Sequence, residues 1–173
     1  MKNKDNFIIT IFIMTFILSI AFSSISNVIA ASFNEVVLFI IMVLVIAIGI
    51  LFDAVGTAGI TAKEATFHSM SSAKVKGAKE TLSLIKNSSK ISSICNDVVG
   101  DVCGIVSGGL GAFLAISLST TLNLNNTLIS VVLSAFISSL TVGGKAIMKK
   151  VAMKKADSII FSVGKIKHFL RIK

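Results

Sequence analysis

The feature that most constrains this chain is an uninterrupted apolar run, because the residues from Val36 to Phe52 carry no polar side chain at all. With the mostly apolar residues that follow to Ile60, the run is long enough to cross the hydrocarbon core of a bilayer as a helix. Hydrophobic residues make up 54% of the 173 residues, and the apolar runs are too long and too many for a soluble domain of this size. The sequence therefore predicts an all-α membrane protein.

Four transmembrane helices are expected, together with cytoplasmic amphipathic helices. The predicted spans are Phe7–Ala30, Val36–Ile60, Ile94–Leu118 and Leu128–Met148. The first span has a second interpretation, a cleaved signal peptide, because a basic start and an apolar stretch lead into the letters NVIAAS. The length of that apolar stretch favours a retained helix.

The basic residues predict the orientation. All 17 Lys and Arg residues lie before the first span, between the second and third spans, or from Lys145 onward. The loops Ala31–Glu35 and Ser119–Thr127 have none. Because cytoplasmic loops carry the Lys and Arg excess, we expect a multi-pass protein of the cell membrane with both termini in the cytoplasm. The net charge of +9 then indicates anionic lipid at the cytoplasmic face as a partner, and no nucleic acid.

Two segments outside the predicted spans have amphipathic patterns. Residues 62–90 have apolar side chains at roughly helical spacing, which predicts two short connecting helices separated at Gly77. Residues 149–173 mix apolar and basic side chains, which predicts a juxtamembrane helix at the membrane surface. The expected organisation is an extra N-terminal helix at 1–35, a three-helix membrane domain at 36–148, and this last helix.

Small residues recur at four-residue intervals in the last two spans. They are Gly100, Gly104 and Gly108 in the third span, and Ser130, Ser134 and Ser138 in the fourth. This spacing lets helices approach closely. It fits tight packing within one chain and equally a seam between two copies.

Three acidic residues lie within or at the end of predicted spans. Counting along the helix from the nearest Lys puts Asp53 about 15 Å, Asp101 about 16 Å and Asp97 about 10 Å from the cytoplasmic boundary. Ionisable groups inside a bilayer are rare and often mark an ion path. Asp97 and Asp101 are four residues apart, so a regular helix would put them on one face. Thr57 lies one turn from Asp53, and Asn96 precedes Asp97.

These five residues form the predicted metal site, because carboxylate, carbonyl and hydroxyl oxygens are the ligands that Mg²⁺ prefers. The alternative is that the acids are protonated or hydrogen-bond to neighbouring helices. The sequence has no nucleophile–base pair, phosphate-binding loop or cluster of metal-binding Cys and His residues, so we expect no enzymatic activity.

The letters LFDAVGTAGITAKEATFHSM, at the end of the second span, resemble the first helix of the membrane domain of the CorC/CNNM magnesium-transporter family. There a Phe-Ser-Gly-x-Glu-Thr-Ala pattern leads into a cytoplasmic helix. The letters GAKETLSLIKNSSKISSICNDVVGDVCGIVSGGLGA and SSLTVGGKAIMKK are similar to that family's later elements, and the resemblance covers about residues 36–173.

The resemblance implies a homodimer that binds Mg²⁺ as its transported ion and couples export to Na⁺. Asp53 takes the place of the motif Ser, and Thr57 matches the motif Thr. Asn96, Asp97 and Asp101 fall in the region of the polar second-span positions.

The sequence also departs from the family pattern. Gly56 stands where the motif has Glu, and Gly143, Gly144 and Lys145 replace the start of a Gly-Glu-x-x-Pro-Lys pattern. The CBS pair of typical members is missing from these residues, so nucleotide regulation is expected to need a separate cytoplasmic subunit. Two functions are therefore predicted: divalent-cation transport, with magnesium the first choice, or, as the alternative, a non-transporting membrane adaptor or regulatory subunit that keeps the fold.

Overall fold

The computed structural model describes the backbone of residues 2–170 and the side chains of residues 13, 16, 17 and 19–170. Over this range the chain is helical and contains no strand, which confirms the all-α prediction. The helices are α1 (Lys2–Ser32), α2 (Glu35–Thr61), α3 (Glu64–Ser72), α4 (Ala78–Lys86), α5 (Ser88–Ser93), α6 (Gly100–Leu122), α7 (Asn126–Lys154) and α8 (Ala156–Phe169). A π-helical segment, Ile94–Val99, joins α5 to α6 without a break.

Within the described residues, three helices are long and apolar enough to cross a membrane: α2, the continuous helix Ser88–Leu122, and α7. They coincide with the second, third and fourth predicted spans. The first predicted span, Phe7–Ala30, lies within α1, but many of its side chains fall outside the described residues.

Two of the long helices extend beyond the predicted spans. The third begins at Ser88 instead of Ile94, and α7 continues past Met148 to Lys154. Lys and Ser end an apolar run without ending a helix, because Lys has a high helix propensity and Ser is tolerated. The predicted juxtamembrane helix is accordingly shared between the end of α7 and α8, with the break at Lys155.

The chain divides into two compact units, and the first comprises residues 1–46 and 102–140. Its largest fully buried side chains are Leu38, Met42, Leu110 and Leu114. The rings of Phe39 and Phe136 are stacked, with their centroids 6.1 Å apart.

The first unit also contains the small-residue groove, about 440 Å³ in volume. The groove is lined by Gly104, Gly108, Ser130, Ser134 and Ser138, among others. A Cβ atom added at Gly104 or Gly108 would meet no atom within 4 Å. These two glycines are therefore not packed against another part of the described chain.

The second unit comprises residues 47–101 and 141–173. One core cluster contains Ala54, Ala58, Ala152 and Ala156, and another contains Phe67, Ile85 and Ile160. Alanines four residues apart let the helix backbones approach closely. Burying each large side chain of the second cluster stabilises the fold by about 1.5–3 kcal/mol.

The short helices of the second unit are held by polar contacts as well as by this core. Gly77 precedes α4 with a φ of 87°, a left-handed conformation that favours glycine. Asp157 accepts a hydrogen bond of 2.9 Å from the backbone N–H of Lys63, at the start of α3. Nδ1 of His168 lies 2.8 Å from the carboxylate of Glu80, and this hydrogen bond lowers the pKa of Glu80 below its ordinary value. These contacts join α3 and α4 to α8.

Candidate cation site

Asp53 is the one charged residue that is buried among those whose side chains are described, with 3% of its surface exposed. It lies in the second unit, on a turn of α2 whose preceding residues, Leu51 and Phe52, are exposed. Successive residues of a helix point in different directions, so this turn presents apolar side chains outward and the carboxylate inward. The structure thus places this acid away from the surface.

Two lysines lie beside this carboxylate, and both come from α7. Nζ of Lys145 is 3.9 Å from Oδ1 of Asp53, and Nζ of Lys149 is 3.7 Å from Oδ2. The two lysines are four residues apart and therefore share a face of the helix. Both distances exceed the 2.7–2.9 Å of a charge-assisted hydrogen bond, so these are ion pairs without a hydrogen bond.

Asn96 lies in the π-helical segment and contacts α2 one turn beyond Asp53. A Cβ atom at Gly56 would collide with Oδ1 of Asn96, so the absence of a side chain at Gly56 makes room for this amide. The Nδ2 atom donates a hydrogen bond of 3.2 Å to Oγ of Ser92. π-helical turns occur frequently at functional sites, where the wide turn redirects a side chain.

Two buried acceptor oxygens in this region have no hydrogen-bond donor. They are Oδ2 of Asp53 and Oδ1 of Asn96, and they are the two such side-chain atoms found among the described residues. Native proteins leave few buried polar atoms unsatisfied, and an ion or a water molecule is a common reason when they do. Both residues belong to the predicted metal site.

The other three predicted ligands are placed differently. The hydroxyl of Thr57 donates a hydrogen bond of 2.9 Å to the backbone carbonyl of Asp53, so its proton is used within α2 while its oxygen can still accept. Asp97 is exposed and lines a pocket of about 470 Å³, together with Ile60 and four serines of the 88–93 segment. Asp101 is exposed.

The predicted set is therefore not assembled as one cluster. Among the described residues, no group of three or more His, Cys, Asp or Glu side chains is arranged to hold a metal ion. The prediction that Asp97 and Asp101 share a helix face assumed regular α-helical geometry. Asp97 lies in the π-helical segment, where that spacing does not apply.

The sequence did not indicate that Lys145 and Lys149 would pair with Asp53; both were counted toward the cytoplasmic charge, and Lys145 also entered the family comparison. Their spacing carried a partial signal, because two lysines at i and i+4 lie on one face at the end of an apolar span. Their separation from Asp53 by more than ninety positions made the pairing invisible without the fold.

The chemistry of these two oxygens is of the kind that hard cations use. Mg²⁺ commonly takes one or two carboxylates from a protein and keeps several of its waters, and Asp53 offers a carboxylate and Asn96 an amide oxygen. The two lysines oppose this, since two ammonium groups and one carboxylate leave a net charge of about +1 before any ion binds. This positive charge disfavours a further cation as long as both lysines stay beside Asp53.

Comparison of the chain with protein-family models, with curated proteins and with solved structures finds no match. The resemblance to the CorC/CNNM membrane domain therefore stays a prediction.

Proposed function

We propose that this chain carries a divalent cation, with magnesium the first choice, across the cell membrane, using Asp53 and Asn96 as its ligands. One observation carries the proposal: the two buried acceptor oxygens without donors lie on neighbouring elements of a chain that has three helices able to cross a membrane. A hydrated hard cation satisfies such oxygens, and ionisable groups inside membrane spans commonly belong to ion paths.

The proposed orientation follows from charge. With α2, the helix Ser88–Leu122 and α7 crossing the bilayer, every Lys and Arg from Lys63 onward that lies outside the spans falls on one side, which is expected to be the cytoplasm, and a first span at Phe7–Ala30 would put Lys2 and Lys4 on that side too. In this arrangement α8 lies at the membrane surface. Its Ile166, Phe169 and Leu170 are exposed, and nearby lysines would contact anionic lipid.

We also propose that the transporter is a homodimer whose two copies meet at the small-residue groove. The groove is open at Gly104 and Gly108, so a helix of a second copy can approach the backbone there. Serine hydroxyls along the opposite wall can hydrogen-bond across such a contact.

The binding test compares variants at matched positions on α2. Mg²⁺ should raise the thermal unfolding temperature of the purified protein in detergent, measured by circular dichroism, because a ligand stabilises the state that binds it. Asp53→Asn should remove this stabilisation. Gly56→Ala should remove most of it, since the new Cβ displaces Oδ1 of Asn96.

Gly59→Ala is the control on the same helix. Its Cβ would lie 3.7 Å from a methyl group of Ile160, an ordinary contact, so the response to Mg²⁺ should be retained. A response that survives Asp53→Asn and Gly56→Ala would contradict the proposed site. Mg²⁺ flux through liposomes containing the protein, with and without a Na⁺ gradient, then tests transport itself.

A second candidate function is supported by the lysines. Lys145 and Lys149 already neutralise the buried carboxylate, which therefore has a structural explanation that needs no ion. This favours a non-transporting membrane adaptor or regulatory subunit. If the protein shows neither Mg²⁺-dependent stabilisation nor Mg²⁺ flux, the adaptor or regulatory function is supported over transport.

A further inference from the structure

We propose that Lys149 is a tethered competitor of the transported cation: its ammonium group occupies the Asp53 carboxylate when the site is empty and leaves when a divalent ion binds. This inference rests on the proposed function, and it assigns to Lys149 control over the affinity of the site.

The geometry of the two ion pairs supports the exchange. Both nitrogen–oxygen distances, 3.7 and 3.9 Å, are too long for a hydrogen bond, so Lys149 provides charge without filling the acceptor position on Oδ2. Oδ2 of Asp53 stays without a donor even with the lysine beside it. An ion that contacts this oxygen directly would therefore make an interaction that the lysine does not make.

Lys149 is better able to leave than Lys145. The side chain of Lys149 is 50% exposed, whereas that of Lys145 is 28% exposed. The ammonium of Lys145 also lies close to Gly100, since a Cβ atom added there would be 3.5 Å from it. A long, flexible lysine at an exposed position can turn its charged end toward water while its methylene groups remain packed.

The charges make the exchange necessary. With both lysines in place the region carries about one net positive charge, which repels a divalent ion. Moving Lys149 away leaves Asp53 balanced by Lys145, so the incoming ion meets no net charge and one open carboxylate oxygen. The apparent affinity of the site is then its intrinsic affinity reduced by the fraction of molecules in which Lys149 has moved.

The experiment measures the Mg²⁺ concentration that gives half of the maximal thermal stabilisation, for the full chain in detergent, using Mg²⁺ alone as the probe. Lys149→Met keeps the packing of the stem and removes the charge, and it should lower this concentration by on the order of tenfold. Lys149→Arg keeps the charge and should stay close to the native value. Lys150→Met, at the exposed neighbouring position, is the control and should also match the native protein.

A second measurement uses stability without the ion. Lys149→Met should unfold at a lower temperature than Lys150→Met in the absence of Mg²⁺, because it removes a counter-charge of Asp53, and saturating Mg²⁺ should close this gap. If Asp53-dependent binding occurs in the native protein and Lys149→Met leaves the half-saturating concentration unchanged or raises it, the competition is refuted while the proposed function stands. If neither native protein nor Lys149→Met responds to Mg²⁺, both are refuted.

Discussion

Removing the two lysines beside Asp53 should destabilise the protein much more than removing Asp53 itself. At the observed distances of 3.7 and 3.9 Å, each ion pair contributes a gross attraction of about 4 kcal/mol at an effective dielectric constant of about 20. Most of this attraction offsets the cost of burying the carboxylate, which has only 3% of its surface exposed. Removing the lysines leaves a buried carboxylate, whereas removing Asp53 leaves two ammonium groups that are partly exposed.

The double variant Lys145→Met/Lys149→Met leaves a buried carboxylate without any counter-charge. Breaking a buried pair in this way typically costs about 3–5 kcal/mol. For a chain of this size that corresponds to a fall in the unfolding temperature of roughly 6–20 °C. Asp53→Asn leaves two lysines that are partly exposed and can reach water, so it should cost only about 1 kcal/mol.

The assay is thermal unfolding by circular dichroism in one detergent, without divalent ions, for the native protein, both variants and the triple variant. The triple variant removes the carboxylate together with both lysines, so it should regain most of the stability that the double variant loses. Equal losses in Asp53→Asn and in the double variant would refute the reasoning. So would a triple variant no more stable than the double variant.

Three further predictions concern other parts of the chain. His168 lowers the pKa of Glu80 below 4.5, so the stability advantage of the native protein over Glu80→Gln should be full above that pH and disappear as the pH falls through the lowered pKa. In intact cells, a cysteine in place of Phe33 should react with an impermeant thiol reagent, whereas one in place of Lys76 should be shielded; external labelling at position 76 would contradict the proposed orientation. Gly104→Leu should fill the small-residue groove and reduce crosslinked dimer, and an unchanged dimer fraction would place the seam elsewhere.

Most of the fold could be predicted because helix formation in this chain depends on local sequence. Apolar runs of sufficient length specified α2 and α7, and an amphipathic pattern interrupted at Gly77 indicated α3 and α4. The helix ends were placed less well, since hydrophobicity stops at the membrane boundary while backbone hydrogen bonds continue through Lys and Ser.

The candidate site could be predicted only in part. Asp53 and Asn96 were found because a polar side chain in an apolar segment is conspicuous. Asp101 was grouped with Asp53 by its depth and with Asp97 by four-residue spacing, both counted along a regular helix, and the π-helical turn removes that regularity without any single residue that signals it. The ion pairs of Asp53 with Lys145 and Lys149 depend on packing between segments distant in sequence, which residue spacing along one helix cannot report.

The π-helical segment Ile94–Val99 has a consequence for how the protein tolerates changes in length. A π-helical turn holds about one residue more than an α-helical turn, with poorer hydrogen-bond geometry. Deleting one residue there, for example the exposed Val98, would let the segment close into a regular α-helix and gain backbone stability. The same deletion would leave Ser88–Ser93 and Gly100 in nearly the same helical phase, since it removes the extra residue of the wide turn, but it would redirect the side chains within the turn and so turn the amide of Asn96 away from Gly56. We therefore expect a shortened protein that resists heat at least as well as the native one and has lost its response to Mg²⁺, so that the length of this turn matters for function in addition to the identity of Asn96.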